Sequence, residues 1–138
     1  MRVRFFSEGI SFKLPHPRKT SSWIESAARA ENLEVGKLSY IFCTDSYLHK
    51  INRQFLNHDT FTDIITFPYE DPEGISADIF ISVPRVRENA QQFRVPFDQE
   101  LHRVLIHGLL HLAGQKDKTK REKAQMREKE EAYLSLRS

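Results

Sequence analysis

Residues 99–114 read Gln-Glu-Leu-His-Arg-Val-Leu-Ile-His-Gly-Leu-Leu-His-Leu-Ala-Gly, and the fold turns on this stretch. Leu101, Val104, Leu105, Leu109 and Leu112 recur at helical spacing, which predicts a helix over Gln99–Ala113. Asp98 is placed to cap its start, and Gly114 to end it in a left-handed conformation. Ile106, Leu109, Leu110 and Leu112 make most of its surface apolar, so the helix belongs in the core. His107 and His111 stand four residues apart inside it, which puts both imidazoles on one face, one turn apart. Two buried neutral imidazoles would each need a hydrogen-bond partner. One shared metal ion satisfies both, and the apolar surroundings favour that reading over two core histidines. His102 lies about 140° around the helix from His107, so it faces elsewhere.

Working outward, Asp63-Ile-Ile-Thr-Phe67 and Asp78-Ile-Phe-Ile-Ser-Val83 read as strands, the first stopped by Pro68. Upstream, residues 1–14 are extended, and Ser22-Trp-Ile-Glu25 has capping-box spacing for a helix from Ser22 to Asn32. Leu38–Cys43 is a further strand, and Asp45 is placed to cap a helix carrying Leu48, Ile51, Asn52 and Phe55 on one face. Pro84 suits the first turn of a helix ending near Phe93. Thr119-Lys-Arg-Glu122 opens a charged C-terminal helix with a second capping box. The result is one α+β domain of about four strands and about five helices.

Composition narrows the function. The 138 residues predict one domain over 1–138, and 39% apolar with 29% charged residues is a globular balance. No apolar run approaches the roughly 20 residues of a membrane span. The N-terminus lacks the apolar core of a signal peptide, and the single cysteine, Cys43, has no partner for an internal disulfide. A cytoplasmic protein is expected. The net charge of +2 permits nucleic-acid binding without requiring it. Lys116-Asp-Lys-Thr-Lys-Arg-Glu-Lys123 is locally basic, either a phosphate-binding patch or a solvated helix start.

Asp117 follows His111 by six residues, beyond the chain reversal that Gly114 allows. It reads equally well as a third metal ligand and as a solvated turn residue beside the last helix. Gly108 stands where metalloproteases of the His-Glu-x-x-His type carry their general base, which disfavours peptide hydrolysis by that route. A helix glycine costs up to about 1 kcal/mol relative to alanine, and in return leaves room for a neighbouring strand or a substrate. Asp63 and Asp78 are candidate hydrogen-bond partners for the histidines, or turn caps at strand starts.

His107-Gly-Leu-Leu-His111-Leu-Ala-Gly114-Gln-Lys-Asp117 resembles the His-Gly-x-Leu-His-Leu-x-Gly-Tyr-Asp-His signature of the YbeY-type endoribonucleases, also described as ribosomal RNA maturation factors. Asn52-Arg-Gln-Phe55 and Thr62-Asp-Ile-Ile-Thr-Phe-Pro68 are similar to that family's Asn-x-x-Tyr and Thr-Asp-Val-Leu-Ser-Phe-Pro segments. Ala77-Asp-Ile79, Ala90 and Glu100 fall in register with it, so the resemblance covers about residues 35–118.

This resemblance implies a zincin-like α+β metalloprotein fold, with a mixed sheet and a metal site on a central helix. It also implies a metal-dependent, single-strand-specific endoribonuclease acting in maturation of the small-subunit ribosomal RNA 3′ end and in ribosome quality control. RNA and the ribosome are the implied partners. The family's three metal histidines correspond to His107, His111 and Asp117 here, an Asp variant expected to hold one Zn²⁺ per chain, with Mn, Fe or Ni as competitors. The family places an arginine where this chain has Leu56. His58 is the candidate substitute, or an exposed loop residue; Arg53 is the next candidate, so the catalytic candidates are His107, His58 and Arg53. Lys116, Lys118, Lys120 and Arg121 are expected to meet phosphate, with Tyr69 or Phe61 to stack a base. The rival reading is a non-catalytic ribosome-assembly factor with a structural metal, and a metal-dependent hydrolase of another substrate comes third.

Overall fold

The computed structural model describes residues 2–56 and 62–137. Its elements run β1 (Val3–Glu8), α1 (Pro17–Ala30), β2 (Val35–Cys43), α2 (Asp45–Phe55), β3 (Ile64–Tyr69), β4 (Ile75–Ser82), α3 (Val83–Phe93), α4 (Phe97–Leu112) and α5 (Lys120–Leu134). The strands form one sheet in the order β1-β2-β4-β3, with β1 parallel to β2, β2 parallel to β4, and β3 antiparallel to β4. The expected α+β architecture is present.

Strand alternation divides the sheet into two unequal faces. Val3, Leu38, Tyr40, Phe42, Ala77, Ile79 and Ile81 are buried on one face with residues of α1, α4 and α5 in the main core. The opposite face is covered in part by α2, where Leu48 and Ile51 pack with Cys43 and Ile65. Leu105, Ile106, Leu109 and Leu110 of α4 are completely buried. At about 1.5–3 kcal/mol for each such side chain, α4 is the element the core is built around. The Tyr40 hydroxyl donates to the Leu105 carbonyl (3.0 Å), tying α4 to the middle of the sheet. Gly108 lets it approach the other edge. A Cβ there would lie 3.0 Å from Ile64 Cδ1 and 3.5 Å from Ile79 Cγ2, so the room it leaves is taken by the neighbouring strands.

Several boundaries differ from expectation for local reasons. α1 starts at Pro17, five residues before Ser22, because proline's fixed φ suits the first helical turn; His16 caps it in the left-handed region (φ 51°). Ser22 sits exposed inside this helix, and its capping-box spacing is coincidental. Thr44 rather than Asp45 caps α2, accepting the Tyr47 N–H at 3.1 Å. The residue before Phe97 is Pro96, and it caps α4 without a side-chain bond; Asp98 lies within the first turn. Pro68 does not stop β3 but pairs with Ala77, since β3 is an edge strand and a missing N–H there breaks no ladder on its outer side. Gly114 does adopt positive φ (93°), and the Thr119–Glu122 capping box is formed.

Candidate metal centre

The two histidines of α4 and the loop after it converge. His107 Nε2 and His111 Nε2 are 2.9 Å apart, and Asp117 Oδ2 lies 3.5 Å from the first and 3.4 Å from the second. Donors of a tetrahedral ion with bonds of about 2.0–2.1 Å stand about 3.3 Å apart, so this triangle has the size of one face of such a site. The helix repeat supplies two corners. The third comes from the positive φ of Gly114, which turns residues 115–117 back along α4 before Thr119 opens α5.

What orients the first corner comes from far along the chain. Glu130, on α5 and buried, has Oε2 2.6 Å from His107 Nδ1. A carboxylate only accepts, so Nδ1 carries the proton and donates it to Glu130, leaving the Nε2 lone pair aimed at His111 and Asp117. The other Glu130 oxygen accepts from Arg103 Nη1 at 3.1 Å. Arg103 is itself buried and also pairs with Glu131 (2.5 Å) and Glu100 (3.3 Å). Burial opposes charge on His107, yet the hydrogen bond and charge of Glu130, with Asp63 and Asp117, raise its pKa above the ordinary histidine value. Burial and the neighbouring His107 push His111 the other way.

Around this triangle is a cleft of about 620 Å³ between α4, β3 and the end of α2. Asp63, Glu100, Asp117 and Glu130 line it, against the single arginine Arg103. Burial pushes the carboxyls of Asp63 and Glu100 up, as expected where acids crowd. Such a concentration of carboxylates beside three converging donor atoms suits a cation, and repels a phosphate unless a cation is bound.

The sequence candidates meet different fates. His107, His111 and Asp117 come together, and among the described residues they form the one group of three or more His, Cys, Asp or Glu side chains able to share an ion. Arg53 is exposed on α2 and is not among the residues lining the cleft, whereas Leu56 is. His58 and Phe61 lie outside the described residues. Asp63 lines the cleft but takes its hydrogen bond from Asn89 (3.3 Å), and Asp78 lies near Tyr69; Glu130, not either aspartate, holds His107. Tyr69 is exposed at the end of β3 away from the cleft-lining residues Ile64–Thr66. Lys116, Lys118, Lys120 and Arg121 are exposed beside Asp117. Glu130 and Arg103 were not legible as site residues. The one trace is that Glu130 lies one turn after buried Met126, on the inward face of an otherwise charged helix.

Comparison with known proteins agrees with this geometry. The family model described as endoribonuclease YbeY matches residues 10–137. The chain belongs to the YbeY family. Relatives named endoribonuclease YbeY include that of Christiangramia forsetii, 51% identical over 97% of this chain and 93% of the relative. That of Cytophaga hutchinsonii is 50% identical over 98% and 95%, and that of Bacteroides thetaiotaomicron 43% over 99% and 100%. The solution structure of a Thermotoga maritima protein superposes with a TM-score of 0.67 at 30% identity, covering 98% of this chain and 88% of that one. Asp117 falls where the YbeY signature has its third histidine, and its Oδ2 lies 3.5 and 3.4 Å from the Nε2 atoms of His107 and His111, so a donor atom is still available there.

Proposed function

We propose that this protein is a metal-dependent endoribonuclease acting on single-stranded RNA, with His107, His111 and Asp117 holding one ion, zinc first and manganese, iron or nickel as competitors. The observation that carries the reading is the convergence of two Nε2 atoms and one carboxylate oxygen within 2.9–3.5 Å, in a cleft otherwise rich in carboxylates. The substrate class rests on the activity named for relatives up to 51% identical. Small-subunit ribosomal RNA near its 3′ end, on the ribosome and in the cytoplasm, is the substrate we assign. Among the described residues no helix is long and apolar enough to cross a membrane.

When bound, the ion supplies Lewis-acid polarisation of the scissile phosphate and a more acidic water. The chain's own residues do the rest. Glu130 keeps the Nδ1 proton of His107 and so keeps its Nε2 free to bind. Asp117 adds negative charge, which a third imidazole would not, and makes the ion a weaker acid. Lys116, Lys118, Lys120 and Arg121 offer the RNA backbone positive charge at the rim, outside the acidic cleft. Leu56 gives the cleft an apolar wall on the α2 side.

Elemental analysis of the purified protein tests the centre. Wild type is expected to carry about one transition-metal ion per chain, and His111→Ala almost none. Cleavage of single-stranded RNA should stop with a chelator and with His111→Ala, and analysis of the new ends separates hydrolysis from attack by the RNA 2′-hydroxyl. Metal without cleavage would instead favour the assembly-factor reading.

A further inference from the structure

Glu130 is 23 residues from His107 in sequence, yet the two share a 2.6 Å hydrogen bond, with Glu130 buried and His107 partly so. Its two oxygens face different partners, His107 Nδ1 on one side and Arg103 Nη1 on the other. Arg103 is in turn held between Glu100, one turn earlier on α4, and Glu131 on α5. The carboxylate therefore cannot rotate without breaking an ion pair in the interior.

We propose that Glu130, clamped by Arg103, is a positioning residue that sets the tautomer of His107 and thereby couples the docking of α5 to metal binding. This rests on the metal-centre reading above. With both Glu130 oxygens committed as acceptors, His107 must hold its proton on Nδ1, and Nε2 presents a lone pair to the ion. Asp117 lies just ahead of the α5 cap, so α5 and its entry loop deliver both one ligand and the group that orients another. The centre is complete only when α5 is seated. That seat is built outside the cleft: Trp23 Nε1 donates to the Tyr133 carbonyl (2.9 Å), and Lys129 pairs with Glu31 (2.8 Å), joining α5 to α1 and to the residue that caps its C-terminus.

The discriminating substitution is Glu130→Gln. A glutamine has one oxygen, and the charged Arg103 competes for it more strongly than an imidazole does. The amide NH2 then faces Nδ1, which must accept, and the proton moves to Nε2, the nitrogen that should bind the ion. Zinc affinity of the metal-stripped full-length protein, read by competition with a chromogenic chelator, should fall roughly 10- to 100-fold in Glu130→Gln. Nitrogen NMR of the imidazoles in the zinc-free proteins, recorded at a pH high enough that His107 is neutral, should show it protonated at Nδ1 in wild type and at Nε2 in the variant. Glu128→Gln, an exposed position on the same helix, is the control and should leave affinity and tautomer unchanged. Wild-type affinity retained in a folded Glu130→Gln overturns the coupling while leaving the metal centre standing. An unprotonated His107 Nδ1 in wild type overturns it without recourse to any variant. Failure of wild type to bind zinc or manganese overturns both.

Discussion

At the residue scale, Gly108 shows how one missing side chain positions the centre. Adding a Cβ meets the end of Ile64, a half-buried side chain that can swing toward the cleft, before it meets Ile79. Alanine regains up to about 1 kcal/mol of helix propensity and spends much of it moving that methyl. Gly108→Ala should therefore unfold in urea within about 1 kcal/mol of wild type. Gly108→Val adds a branch with nowhere to go and should cost on the order of 3 kcal/mol. The sequence-level reading of Gly108 as a place of close approach was correct. Which neighbour approaches, strand or substrate, depended on the register, which pairs Ile64 with Ile81 and so brings Ile64 and Ile79 onto one face against α4.

At the element scale, α5 behaves as part of the site. Its capping box holds the Thr119 N–H on Glu122 Oε1 (3.0 Å) and the Glu122 N–H on Thr119 Oγ1 (3.0 Å). Glu122 also takes the Lys118 N–H at 3.2 Å, which fixes the backbone immediately after Asp117. Thr119→Ala should lower stability by about 1 kcal/mol and also weaken zinc binding, measured on the same chelator competition. Thr44→Ala removes a comparable cap from α2 at a similar cost, and should leave zinc binding unchanged because α2 supplies no ligand. Equal zinc affinities in the two variants would mean that the α5 cap does not fix Asp117. The α5 box was readable from spacing because both members sit within one turn. The identical spacing at Ser22–Glu25 misled because Pro17 had already started that helix.

For the whole molecule, the packing of α1, α4 and α5 leaves a pH signature away from the metal centre. His102 stacks edge-on against Trp23 of α1 (5.6 Å between centroids), and burial, with Arg137 and Lys19 nearby, pushes its pKa down to about 4. The unfolded chain takes up a proton there from about pH 6.5 downward, and the folded protein only near pH 4. The unfolded state binds more protons across that window, so stability falls as pH drops through it and levels off below. Urea unfolding between pH 7 and 4 should show wild type losing roughly 2 kcal/mol more than His102→Phe, whose ring can keep the Trp23 contact. Parallel pH profiles would remove His102 from that balance.

The sequence by itself determined what is local. The four-residue spacing of His107 and His111 on an apolar helix, the reversal at Gly114 and the capping box at Thr119 each lie within a turn or two, and backbone geometry alone converts them into structure. Tertiary structure decided the rest. α5 carries four glutamates that look alike in sequence, and only its packing against α4 makes Glu130 the one that orients His107. Pro68 enters a strand only because β3 falls at the sheet edge, and Arg103 becomes a buried clamp only because three glutamates from two helices surround it. Helical and strand periods carry no information about contacts between elements 20 or more residues apart; those are set by how the faces pack.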